Sequence, residues 1–107
     1  DGTAAEPIIF TGKSKNAGYW SGIELSHKMP SILNNCTIEY AGIDDGYGLY
    51  VANGKVDMNN TTISHSGGYG VVMGEESEIT HSNITFIECE LGNVYNETDD
   101  TVVDELP

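Results

Sequence analysis

Gly48-Leu49-Tyr50-Val51 opens a stretch that continues through Val56-Asp57-Met58 to Asn59-Asn60-Thr61-Thr62-Ile63-Ser64-His65-Ser66-Gly67, and the chain repeats it on both sides. Upstream, Gly22-Ile23-Glu24-Leu25 leads to Asn34-Asn35-Cys36-Thr37-Ile38-Glu39-Tyr40-Ala41-Gly42. Downstream, Gly70-Val71-Val72-Met73 leads to Ser82-Asn83-Ile84-Thr85-Phe86-Ile87. The matched asparagines Asn35, Asn60 and Asn83 stand 25 and then 23 residues apart, and a fourth, degraded copy begins at Gly92-Asn93-Val94-Tyr95. A period of this length is too short for stacked helix pairs and suits one coil of a β-solenoid.

Local chemistry agrees with strands. After each glycine the pattern alternates, with Ile23/Leu25, Leu49/Val51 and Val71/Met73 on one face and Glu24, Tyr50 and Val72 on the other. Asp44-Asp45-Gly46, Asn53-Gly54 and Ser66-Gly67-Gly68 punctuate the chain as turns. No stretch keeps a helical period, so no long helix is expected. The 107 residues allow one domain, and the longest apolar runs fall far short of the ~20 residues of a membrane-spanning helix.

These residues carry a family likeness. Gly2-Thr3-Ala4-Ala5-Glu6-Pro7-Ile8-Ile9-Phe10-Thr11-Gly12, Gly18-Tyr19-Trp20-Ser21-Gly22-Ile23 and the repeats that follow resemble right-handed parallel β-helix proteins of the pectin-lyase-like superfamily, with short PbH1-type repeats, across residues 2–95. The resemblance implies an all-β solenoid of about four coils with three strands per coil over residues 1–95, then an acidic tail or cap over 96–107. It also implies an extracellular or cell-surface protein of bacterial or archaeal type. A short solenoid has open ends, so a larger parent protein or a homo-oligomer that buries those ends is expected. The superfamily includes lyases, hydrolases, adhesins and inert spacers, so the likeness says much less about activity than about fold.

The resemblance further implies a structural ladder for Asn35, Asn60 and Asn83, each at a tight corner with its amide bonded to the equivalent residue of the next coil. Asparagine suits that place because it tolerates left-handed backbone and carries both a donor and an acceptor. All three also read as glycosylation sequons, a reading the repeat makes unnecessary. In such a stack Cys36 and Cys89 are two coils apart, about 10 Å, beyond the ~7 Å reach of a disulfide, so both are expected as free thiols.

Charge excludes some partners. Residues 1–55 hold six acids and all four lysines, net −2, whereas residues 56–107 hold eleven acids and no base, net −11; arginine is absent. A phosphate backbone would be repelled, and neither nucleic-acid binding nor membrane insertion is expected.

Carbohydrate is the partner best matched to the aromatic residues. Tyr47 and Tyr69 each precede a repeat-opening glycine and should stack, with Leu91 as the next rung; Tyr50 lies on the outward face, and Tyr19 and Trp20 lie one coil earlier. Such a ridge beside carboxylates is suited to sugar rings, although Tyr47 and Tyr69 can simply fill the corner and Trp20 can cover the flank of the coil. Asp44, Asp45, Glu75 and Glu76 are weak calcium candidates, with no recognised calcium-loop spacing; no other cofactor is expected. Pectate-lyase-type catalysis needs a basic residue among acids. Only Lys13, Lys15, Lys28 and Lys55 are available, and none falls in an acidic cluster. Glu24 has Tyr50 and Val72 as expected neighbours, which does not make the carboxylate pair of a glycosidase. His65 and His81 could act as general bases, but His81 falls in the column of Leu33 and Met58; His27 lies in a turn. The column Thr37, Thr62, Thr85 is too sparse for an ice-binding array. The expectation is therefore a non-catalytic extracellular module, a spacer or carbohydrate-contacting surface of an adhesin-like protein. Its alternative is a portion of a polysaccharide-processing lyase or glycoside hydrolase.

Overall fold

In the computed structural model, residues 8–13, 16–25 and 31–106 are described. Lys15 and Lys28, weighed above as candidate bases, and the turn residue His27 lie outside the described residues. The strands are β1 (Ile8–Phe10), β2 (Ile23–Leu25), β3 (Ser31–Asn34), β4 (Cys36–Glu39), β5 (Tyr47–Ser64), β6 (Tyr69–Ile87), β7 (Gly92–Asn96) and β8 (Thr101–Val103). A single 3₁₀ turn, Ile43–Asp45, lies between β4 and β5.

Coil upon coil, equivalent residues pair in parallel. β2, β3 and β4 together form one coil, and β5 runs alongside all three, with Glu24 opposite Tyr50, Leu33 opposite Met58 and Ile38 opposite Ile63. β6 then pairs along β5, from Tyr47 opposite Tyr69 to Ser64 opposite Ile87, with a one-residue shift of register between Val51 and Asn53. The register carries the repeats read from the sequence.

The interior consists of columns that run through successive coils. Ile23, Leu49, Val71 and Val94 form one; Leu25, Val51 and Met73 a second; Phe10, Ile38, Ile63 and Phe86 a third. Leu49, Val51, Val71, Met58, Ile38 and Ile63 are fully buried. Cys36 is buried, as is Thr61, which donates from Oγ1 to the Asn59 carbonyl at 3.0 Å. Cys36 and Cys89 are free thiols.

The coils differ from expectation in three respects. First, there are about three complete coils rather than four, made by β2–β4, β5 and β6, with only partial coils at β1 and β7. Second, the later coils are not broken into three strands. β5 and β6 extend over 18 and 19 residues, bending at the Asn60 and Asn83 corner, where the ladder skips one pair and resumes in the same register. Third, the degraded copy is offset by one residue. Gly92, not Leu91, pairs with Tyr69, so Asn93 rather than Gly92 occupies the column of Gly48 and Gly70.

Close approach explains that offset. A β-carbon on Gly48 would lie 2.8 Å from Ile63 Cγ2 and 3.0 Å from the Gly70 carbonyl oxygen of the next coil. On Gly70 it would lie 2.6 Å from the Asn93 carbonyl oxygen. Each glycine is clamped both by an inward side chain of its own coil, Ile63 or Phe86, and by the backbone of the coil that follows. Asn93 has no following coil, because after β7 the chain turns over residues 97–100 and β8 returns antiparallel to β7. Its side chain instead donates from Nδ2 to the Asp104 carbonyl at 3.1 Å. Leu106, 7% exposed, completes the core at this end. The segment after residue 96 thus folds back as a hairpin and plug.

Replacing Gly70 by alanine forces a β-carbon against backbone of the next coil and should destabilise the fold by about 1–3 kcal/mol. Asn93→Ala, which removes only one hydrogen bond, should cost about 0.5–1.5 kcal/mol. Urea denaturation of the two variants checks the order; equal midpoints would contradict the close-approach argument.

Candidate functional site

One outward face gathers tyrosines and carboxylates. The outward column of the first strand segment reads Glu24, Tyr50, Val72, Tyr95 across four rungs. Beside it, Tyr47 and Tyr69 pair across one rung. The rings associate in two pairs: Tyr47 and Tyr50 have centroids 5.2 Å apart and tilted by 50°, while Tyr69 and Tyr95 stack at 5.0 Å and 19°. Val72 lies between the Tyr50 and Tyr95 rungs and is 8% exposed although it points away from the core.

Three of the four phenols end on a carboxylate. Tyr47 donates to Glu24 at 3.3 Å, Tyr50 to Glu97 at 2.9 Å, and Tyr95 to Asp100 at 2.6 Å. Accepting a hydrogen bond from its neighbour makes each carboxylate oppose ionisation of that phenol, because ionisation would remove the donor and add a like charge. The hydrogen bond to Asp100 is the main reason the Tyr95 hydroxyl is pushed up to about 12. The bond to Glu97 does the same for Tyr50, and for Tyr47 partial burial comes first, followed by the Glu24 charge.

Tyr95 was not among the residues singled out from sequence. Reading the degraded copy from Gly92 places it one position out of register; aligning Asn93 with Gly70 puts it in the column of Tyr50. Trp20 and Tyr19 stand apart from this face. Trp20 is half-buried against the core, and its indole N–H donates to the Glu39 carbonyl at 2.8 Å, so it closes the flank of the coil. Tyr19 is exposed, and its backbone N–H bonds to the carbonyls of Asn16 and Tyr40. Among the described residues neither ring contacts the four tyrosines.

A groove of about 460 Å³ adjoins the tyrosine face, lined by Tyr50, Tyr95, Asn53, Glu75, Glu76 and Glu97 among others. Asp44 and Asp45 lie elsewhere, in the 3₁₀ turn, both in left-handed backbone. The four calcium candidates are therefore divided between two places. Among the described residues no group of three or more His, Cys, Asp or Glu side chains is arranged to hold a metal ion.

Other polar columns occupy corners. Asn35, Asn60 and Asn83 all have left-handed backbone, with φ of 53°, 50° and 57°. Asn83 donates from Nδ2 to Asn60 Oδ1 at 2.8 Å. Asn59 donates to Asn34 at 2.9 Å, a second amide pair that the Asn34-Asn35 and Asn59-Asn60 doublets already contain. At the next corner Tyr40 and His65 stack at 5.1 Å, and His65 Nδ1 lies 3.1 Å from a Glu88 oxygen. His81 is exposed at the last rung of its column rather than enclosed.

Raising a tyrosine above its unfolded value of about 10 adds stability that is complete below pH ~10 and disappears as pH rises through the folded value. For Tyr95 that window lies between about 10 and about 12. Alkaline titration of tyrosinate absorbance should show one late step, absent in Tyr95→Phe and moved to lower pH in Asp100→Asn. A titration in which Tyr95→Phe retains the late step would contradict the assigned hydrogen bond.

No curated protein and no solved structure matches the chain. A family model, described as a right-handed β-helix region, matches residues 11–105. That span includes every complete coil and the returning hairpin, and the parallel register described above is what such a helix requires. The chain belongs to the right-handed β-helix family.

Proposed function

We propose that this chain is a non-catalytic β-helix module of an extracellular or cell-surface protein of pectin-lyase-like, adhesin-like type, and that it contacts carbohydrate through the tyrosine–carboxylate face. The observation that carries the reading is the arrangement of Tyr47, Tyr50, Tyr69 and Tyr95 in two ring pairs, three of whose hydroxyls are anchored on Glu24, Glu97 and Asp100. Sugar rings present apolar C–H faces that pack on aromatic rings, and their hydroxyls donate to carboxylates. Rings already held by neighbours lose little rotamer freedom on binding, which favours recognition by a surface this small. The face is open rather than enclosed, so modest affinity is expected, strengthened by repetition in a larger assembly.

The adjoining polar groove is the one observation in favour of a polysaccharide-processing enzyme. A glycosidase, however, makes its general acid by enclosing one carboxyl of a pair in apolar surroundings. Glu75, Glu76 and Glu97 are all exposed. The non-catalytic reading is therefore preferred.

Affinity electrophoresis through gels holding neutral and acidic polysaccharides, with and without calcium, tests it. Selective retardation should occur and should be lost in Tyr50→Ala and Tyr95→Ala, each first checked for cooperative unfolding. Unchanged mobility in every gel would leave a structural spacer as the better account. Release of reducing ends or unsaturated products from the same polysaccharides would favour the enzyme.

A further inference from the structure

We infer that the open edge at the end of β6 takes up an extended segment of a partner protein as an added parallel strand, one with apolar residues at alternate positions and lysine or arginine at its end.

The edge is open because the last coil is incomplete. β7 pairs with β6 only from Tyr69 to Met73, and among the described residues no strand pairs with residues 79–87 on the side away from β5. The backbone there is aimed at the missing coil. Ile8 donates its N–H to the Asn35 carbonyl of the coil after it, and Tyr40 and His65 donate likewise to Ser64 and Ile87. Alternate residues of a parallel ladder bond to the same neighbour, so Ile84, Phe86 and Glu88, which continue those columns, direct their N–H and C=O groups away from β5. Such an edge is a template for another strand.

The interior is open at the same place. Met58, Thr61 and Ile63 are fully buried, whereas their successors His81, Ile84 and Phe86 are exposed or half-buried. A groove of about 410 Å³ lies against these three, closed on its other side by Asn93, Asp104, Glu105 and Leu106. It occupies the position of the strand that a complete fourth coil would supply.

Charge selects the occupant. Residues 56–107 hold eleven acids, yet none falls between Glu78 and Glu88. Edges that stay unpaired are guarded by charge, as β8 is by Asp99 and Asp100 before it and Asp104 and Glu105 after it. The β6 edge has no such guard along its length, only acids at its ends and on the far wall of the groove. A second copy fits poorly. Antiparallel pairing of two such edges would set Glu78 against Glu88, and stacking of a further whole coil would meet β8, which already covers β7. A single strand avoids both conflicts: its alternate apolar side chains cover Ile84 and Phe86, and its basic end meets Glu88, Asp104 and Glu105. Main-chain bonds supply the affinity of such an addition and the alternate side chains its specificity.

The test is titration calorimetry of the intact chain with the blocked synthetic peptide TNVTVTKK, whose valines fall in the Ile84 and Phe86 columns and whose first lysine falls in the Glu88 column. Methylating the backbone nitrogens of the second and third threonines removes the N–H groups that face β6 and should weaken binding about tenfold. Methylating those of the valines, which face away, should leave it unchanged. Asp104→Asn/Glu105→Gln should weaken the parent peptide by about three- to fivefold. Asp44→Asn/Asp45→Asn, which removes the same charge at a distant turn, should not. No binding of the parent peptide, or equal binding of the two methylated forms, would overturn strand addition. Equal binding of a peptide with glutamates for the lysines would overturn the basic partner. A dimer of the chain alone in sedimentation equilibrium, dissociated by the peptide, would overturn the assignment in favour of a second copy.

Discussion

Parallel strands held about 4.8 Å apart by backbone hydrogen bonds leave no room for compromise at the corners of a narrow coil, and that spacing governs this molecule. At Gly48 and Gly70, inside β5 and β6, a β-carbon would lie 3.0 and 2.6 Å from a carbonyl oxygen of the next coil. Where the chain turns outward at Asn35, Asn60 and Asn83, the backbone must be left-handed, a conformation asparagine accepts more readily than most side chains. The regular columns of Leu49, Val71 and Val94 or of Ile38, Ile63 and Phe86 follow, because fixed corners leave a single register in which the apolar side chains face the interior.

The same constraint explains how the solenoid stops. A coil with nothing above it has no following backbone to exclude a side chain from that column, and there Asn93 appears, its amide directed to the returning segment. β8 adds antiparallel to β7, and Leu106 packs against the core. An antiparallel strand cannot serve as the template for another parallel coil, so the hairpin ends this part of the repeat as well as covering it. The acidic composition of residues 96–107 leaves little apolar material for the purpose, and Leu106 is the one buried residue in that stretch among those described.

The tyrosine face depends on both ends of the chain. Tyr47 and Tyr50 come from one coil, Tyr69 from the next and Tyr95 from the last partial coil, while the carboxylates that fix them come from β2 and from the hairpin. Stacking translates a one-dimensional repeat into a surface on which residues 47 positions apart in sequence, such as Tyr50 and Glu97, are in contact. Loss of the hairpin would therefore remove two of the three anchors and leave the rings on a bare strand face.

Much of this was determined by the sequence alone. Residues recurring at a nearly constant period must stack, so the parallel register, the interior columns and the pairing of Tyr47 with Tyr69 could be read from Gly22, Gly48 and Gly70 and the asparagines that follow them. The end of the repeat could not be read in this way. Gly92 invites alignment with Gly70, yet its partner is Tyr69, because periodicity ceases to inform once a coil has no successor to match. With that one-residue offset, Tyr95 was missed and Leu91 was placed on a rung it does not occupy. Trp20 is legible from sequence either as part of the aromatic ridge or as cover for the flank of the coil, and the fold, which brings the Glu39 carbonyl within reach of its indole, places it on the flank. Columns follow from spacing within a repeat, whereas contacts made by a segment that reverses direction depend on where the chain turns, and only the tertiary structure decided that.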